Sequence, residues 1–242
     1  MTETPSLLRT GLREHHCGAA AHQADALAQA IAGQLEMALA SRGQATLAVS
    51  GGRSPVALFQ RLRQAPLDWA RVSITLVDER CVPEADPDSN ARLVREHLLQ
   101  DRAAAARFVS WLPDVPQPDA LTPDALSLAV NQRLALLPPP WDVAVLGMGD
   151  DGHTASWFPD SPGLTQAMAN GMAVCWVRPG HAPHLRLTLT RAAVLACRHL
   201  HLAIAGATKQ QVYAQACRGE TLALPVSVVL THATSLDVWI AD

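Results

Sequence analysis

The 242-residue sequence is short of charge, with 17% Asp, Glu, Lys and Arg where an average soluble domain carries roughly a quarter. Its 19 Lys and Arg are outnumbered by 22 Asp and Glu, for a formal net charge of -3. No general basic field therefore exists to draw DNA or RNA, and an anionic ligand has to be met by a local cluster. No apolar stretch approaches the ~18 uninterrupted residues of a membrane-spanning helix, and residues 1–10 lack the apolar centre of a leader segment. The five cysteines, Cys17, Cys81, Cys175, Cys197 and Cys217, are odd in number, widely spaced and without a C-x-x-C pair. They read as reduced thiols in a cytoplasmic protein, not as zinc ligands or a redox dithiol. No repeat, low-complexity tract or linker divides the chain, which is expected to be a single domain over residues 1–242.

Apolar residues are plentiful at 49%, and a chain of this length buries a core without metal or disulfide staples. Over residues 22–39, Leu27, Ile31, Leu35 and Leu39 recur every four positions in an Ala-rich, Gly-poor context, the pattern of a helix with one buried stripe. Beyond it, β-branched or Leu-rich runs at residues 46–49, 72–77, 143–146, 173–177, 185–189 and 200–205 read as strands, several of them apolar on both faces. Residues 55–63, 89–99, 123–136 and 208–217 read as the intervening helices, and Ser or Thr caps stand near three of their starts. This alternation predicts an α/β fold: a doubly wound, mostly parallel, Rossmann-like sheet with helices on both faces. The Pro-rich segments 113–123 and 138–140 read as surface connections.

In such sheets ligands bind outside the carboxyl ends of the strands, so the strand-to-helix junctions are where chemistry is sought. The first is Ser50-Gly51-Gly52-Arg53-Ser54-Pro55, where two glycines permit close backbone approach, Ser54 is placed to cap the following helix, and its N-terminus offers free N–H groups to an anion. The run does not have the spacing of a Walker A loop. The second is Asp78-Glu79-Arg80, a solvated turn in isolation, but one whose guanidinium would fork onto a phosphate if the two strands are neighbours. Ser89-Asn90 then caps the next helix.

The third junction, residues 147–156, contains Gly147-x-Gly149-x-x-Gly152 after a strand. It is not a dinucleotide loop, because Asp150 and Asp151 would repel a pyrophosphate and no acidic residue follows about 20 positions on. It reads instead as a glycine-bent loop presenting His153 as a general base with Asp151 to orient it and stabilise its cation. Lys209, at the start of a helix after a strand, would add a cation to the same crevice, whereas Arg198 is placed by sequence equally well in the crevice or on the surface. The spacings of His181 with His184 and of His199 with His201 suit a metal, but no third ligand lies near, and no metal or cofactor is expected. No G-x-S-x-G elbow is present, so Ser50 and Ser54 are read as phosphate or cap residues.

Taken in order, Ser50-Gly51-Gly52-Arg53-Ser54-Pro55, Val77-Asp78-Glu79-Arg80-x-Val82-Pro83 with Ser89-Asn90, Gly147-x-Gly149-x-Asp151-Gly152-His153-Thr154-Ala155-Ser156-x-Phe158-Pro159, Arg186-x-Thr188-Leu189-Thr190 and Gly206-x-x-Lys209 resemble the 6-phosphogluconolactonases from about residue 45 onward. Ser54 stands where that family usually has Thr, and Trp157 where it usually has Leu. The resemblance implies hydrolysis of 6-phosphoglucono-δ-lactone in the oxidative pentose phosphate pathway. It also implies that water deprotonated by His153 attacks C1, that Asp151 orients the imidazole, and that N–H groups of the 147–149 loop, with Gly149, serve the oxyanion. Ser50, Gly51, Gly52, Arg53, Ser54, Arg80 and Lys209 would hold the phosphate, with Asp78 and Arg198 as further candidate contacts. The expected partner is a small sugar-phosphate lactone, with no nucleic acid and no membrane, the chain acting as a monomer or homodimer. Two rivals remain. A glucosamine-6-phosphate deaminase would share the fold but carry a glutamate five residues beyond the histidine, where Phe158 stands here. A non-catalytic sugar-phosphate-binding effector domain would keep the phosphate loop and lose the base, yet Asp151 and His153 are both present.

Overall fold

The computed structural model describes residues 11–52, 54–112, 121–169 and 171–242. Seven strands form one wholly parallel sheet, in the order β1 (Leu12–Gly18), β10 (Leu236–Ala241), β9 (His199–Ala205), β6 (Val143–Gly147), β2 (Ala45–Val49), β3 (Val72–Leu76) and β5 (Arg107–Phe108). The central strands are buried along almost their whole length, which is why their sequences show continuous apolar runs instead of alternation. The expected mostly parallel α/β sheet is therefore present.

Helix α1 (Ala20–Arg42) extends the 22–39 expectation at both ends. Leu27, Ile31 and Leu35 are buried, each contributing roughly 1.5–3 kcal/mol, and Gly43 closes the helix in the left-handed conformation with its N–H on the Leu39 carbonyl. The other helices are α2 (Val56–Leu62), α3 (Asn90–His97), α4 (Pro123–Leu134), α5 (Leu164–Met168), α6 (Arg191–Leu195), α7 (Ala207–Ala216) and α8 (Val226–His232). Helix α2 packs against α1 and α3, α6 against α5 and α8, and α8 against α7, while α4 lies on β7. Ser89, Thr122 and Thr190 accept hydrogen bonds from the first turns of α3, α4 and α6.

Three sequence expectations are corrected. The runs at 173–177 and 185–189 do form strands, β7 (Val174–Val177) and β8 (Arg186–Leu189), but in a separate antiparallel sheet with β4 (Asp78–Arg80), in the order β4-β8-β7. Asp78-Glu79-Arg80 is thus an ordered strand and not a strand-end turn. Ser54 does not cap α2, whose start is Pro55 with no side-chain cap. The edge strand β1 escaped the sequence reading because its alternation is polar and half-exposed, and β10 was also missed.

After β2 the chain moves outward through β3 to β5, and from β6 it moves the other way through β9 to β10. The switch point therefore lies between β2 and β6, the place where an open α/β sheet leaves a crevice.

Candidate functional site

The loop after β2 is the first wall of that crevice. A Cβ on Gly51 would lie 1.8 Å from Asn90 Oδ1, so no larger residue fits while Asn90 keeps its place. Gly52 and Ser54 follow along the same wall; Arg53 lies outside the described residues.

The second wall is β4 with the start of α3. Strand alternation puts Asp78 and Arg80 on the crevice side and turns Glu79 to the opposite face. Asp78 is nearly buried, and its Oδ2 accepts from Ser156 Oγ at 2.6 Å. Asn90 Nδ2 donates to the Asp78 carbonyl at 2.8 Å. Glu79, 2% exposed, accepts the backbone N–H groups of Arg80, Asn90 and Ala91 and the Ser89 hydroxyl. Burial pushes its carboxyl up to about 7, opposed by those N–H groups.

Directly opposite Arg80 across the β4–β8 ladder is Arg186, and both line the crevice. The Nε atoms of both are buried and have no hydrogen-bond partner among the described residues. Burial and then the Arg80 cation press the Arg186 pKa down, while Asp78, Glu79 and Asp88 pull it up. Arg80 Nη1 donates to the Asp88 carbonyl, while the two paired cations keep their Nε donors unspent, an arrangement with the chemistry to receive an anion.

The third wall is the loop after β6. His153 Nδ1 is 2.6 Å from Asp151 Oδ1, and the same oxygen accepts the His153 backbone N–H. The ring packs on Phe158 with centroids 4.4 Å apart. Its hydrogen bond to His153 holds Asp151 below the usual carboxylate range, against an upward push from burial. Gly149 allows this packing, since a Cβ there would lie 2.2 Å from both Cε1 and Nδ1 of the imidazole. The Gly149 N–H, however, donates to the His153 carbonyl at 2.9 Å, so that member of the expected oxyanion set is already engaged.

These walls enclose a cavity of about 560 Å³, which brings together Ser50, Gly51, Gly52, Ser54, Asp78, Arg80, Gly149, His153 and Lys209. Lys209, the only lysine in the sequence, reaches it from the first turn of α7. Asp151 stands behind His153. Arg198 is corrected: it pairs with Asp142 at 3.4 Å beside the start of β6 and does not line the cavity. Among the polar cavity residues not singled out as site residues, Arg186, Asn90 and Ser156 each lie within a quoted motif, and Gln23 lies in none; only the pairing of β4 with β8 shows why Arg186 belongs. Among the described residues no group of three or more His, Cys, Asp or Glu could hold a metal ion.

Over residues 18–239 the sequence matches the family described as glucosamine-6-phosphate isomerases/6-phosphogluconolactonase. A Pseudomonas aeruginosa protein named 6-phosphogluconolactonase is 53% identical over 196 residues, 79% of either chain. One of the same name from Neisseria meningitidis is 45% identical over 220 residues, 90% of this chain and 94% of its own. The crystal structure of a 6-phosphogluconolactonase from Shewanella baltica superposes with a TM-score of 0.88 at 40% identity, covering 97% of this chain and 98% of that one.

Proposed function

This chain belongs to the glucosamine-6-phosphate isomerase/6-phosphogluconolactonase family, and we propose that it hydrolyses 6-phospho-D-glucono-1,5-lactone to 6-phospho-D-gluconate, a step of the oxidative pentose phosphate pathway. The observation that carries the reading is the His153–Asp151 pair at 2.6 Å beside a cavity that also holds Arg80, Arg186 and Lys209. A carboxylate only accepts, so Asp151 keeps a proton on Nδ1 and leaves Nε2 as the basic nitrogen.

A δ-lactone is an activated ester and needs no covalent nucleophile. His153 Nε2 takes one proton from a water as its oxygen bonds to C1. The tetrahedral intermediate then collapses with cleavage of the C1 to ring-oxygen bond, and the proton passes from the imidazolium to the departing ring oxygen. Water is consumed and one carboxylic acid is formed, with Asp151 stabilising the transient imidazolium. Arg80, Arg186 and Lys209 would hold the phosphate dianion, with Ser50, Gly51, Gly52 and Ser54 shaping its seat, and this anchoring fixes C1 against the base. Asp78, an acceptor at the cavity wall, suits a sugar hydroxyl.

A deaminase of the same family is disfavoured by Phe158, whose ring packs on His153 where that reading needs a carboxylate. The free state of all five cysteines fits the proposed cytoplasmic setting. The test is to follow lactone decay by NMR with and without the protein. Turnover far above the spontaneous rate is expected, and no acceleration would leave a binding domain in place of an enzyme.

A further inference from the structure

Glu79 does not line the cavity, yet its side chain joins two of the elements that build it, β4 and the N-terminus of α3. Its Oε1 accepts the Arg80 N–H at 2.6 Å and the Asn90 N–H at 2.8 Å, and its Oε2 accepts the Ala91 N–H at 2.8 Å and the Ser89 hydroxyl at 3.2 Å. We propose that Glu79 is the positioning residue of the anion site, locking β4 onto the N-terminus of α3 so that Arg80 faces Arg186 and Asn90 spans the gap to Asp78 and Gly51. This rests on the reading of Arg80 as a phosphate ligand.

The chemistry of the cluster calls for a carboxylate at this position. All four groups aimed at it are donors, and they favour the ionised carboxylate, the form that only accepts, against the burial that raises its pKa. The α3 N-terminus adds a favourable dipole, and the Ser89 hydroxyl both donates to Glu79 and accepts from the Arg92 N–H, so helix cap and carboxylate share one atom. A glutamine would turn an amide NH₂ against at least one donor pair.

The geometric consequence follows from strand alternation. Asp78 and Arg80 flank Glu79 in β4, so fixing the central side chain on one face fixes the direction of both neighbours on the other. Because Glu79 also holds the Asn90 backbone, it sets the side chain whose Nδ2 reaches the Asp78 carbonyl and whose Oδ1 lies against Gly51. One buried carboxylate thereby sets the spacing of the β2, β4 and α3 walls.

The test compares Glu79→Gln, Arg80→Ala and the double variant on the phosphorylated lactone and on unphosphorylated glucono-δ-lactone. Glu79→Gln is expected to lower the preference for the phosphorylated substrate about tenfold, through KM more than kcat, and to weaken inhibition by inorganic phosphate in step. In the Arg80→Ala background the same change should add little to that loss, because it acts through a group already removed. Equal loss on both substrates, or fully additive loss of preference in the double variant, would make Glu79 a general structural residue and overturn the proposal. An Arg80→Ala variant that keeps its preference overturns the phosphate reading, and with it this one. Should Glu79→Gln fail to fold, Glu79→Asp keeps four acceptor positions on a stem one methylene shorter. It is expected to show the same selective rise in KM at smaller size, and a parallel loss on both substrates would again decide against the proposal.

Discussion

Arg80 and Arg186 face each other directly across the antiparallel β4–β8 ladder, like charges in register whose buried Nε atoms have no hydrogen-bond partner among the described residues. Like charges directly opposite destabilise a sheet, so this pair persists against a local cost, as expected where an anion is to be bound.

Removing either guanidinium should weaken that seat. A charge-assisted hydrogen bond contributes about 1.5–3 kcal/mol, so Arg80→Ala or Arg186→Ala is expected to raise KM for the phosphorylated lactone by about 10–150-fold. Steady-state kinetics with both lactones checks this. An equal effect on the unphosphorylated lactone would move the residue from phosphate binding to the fold.

The base assignment rests on the His153–Asp151 contact. His153→Ala is expected to lower kcat by about 100-fold or more, with binding of 6-phosphogluconate little changed. Asp151→Asn should lower kcat too, since an amide holds the ring without stabilising its cation. Near-normal kcat in the first variant would remove His153 from the mechanism.

Gly149 tests the same geometry from the backbone. A Cβ would lie 2.2 Å from the imidazole, so Gly149→Ala should displace the ring and lower kcat at an almost unchanged unfolding midpoint. Retained activity would show that the ring position found here is not required.

Lys209 can be addressed by chemistry, because the sequence holds no other lysine. An ε-amine-directed reagent, such as an aldehyde with borohydride, should add one group beyond the α-amine, abolish turnover, and be slowed by inorganic phosphate. Full activity after quantitative labelling would exclude Lys209 from the site.

Stability should fall in acid for a reason remote from the cavity. His201 is buried, accepts from Trp239 Nε1 on Nδ1, and contacts Gln34 Oε1 through Nε2, and burial pushes its pKa from 6.5 down to about 4. The unfolded chain takes up this proton below pH 6.5 and the folded chain only below about 4. The stabilisation is therefore complete above pH 6.5 and is lost as pH falls towards 4, amounting to about 3 kcal/mol at ~1.4 kcal/mol per unit. Urea unfolding at pH 7 and pH 4.5 measures it, and the difference should shrink in His201→Gln.

The sequence alone determined the α/β class, the junctions at Gly51 and Gly149 that follow central strands, and the pairing of His153 with Asp151, because each depends on short-range periodicity or on residues at most a few positions apart. It could not decide which sheet a strand joins. The runs that became β7 and β8 have the same apolar character as the central parallel strands, so their place in a separate antiparallel sheet, and with it the position of Arg186 opposite Arg80, came only from tertiary pairing. Arg198 shows the converse: adjacent in sequence to a central strand, it stands at that strand's start, where Asp142 claims it, and the carboxyl ends of the strands hold the cavity. Local pattern marks where strands begin and end, whereas strand order and direction, set by long-range packing of the whole chain, decide which of those ends meet.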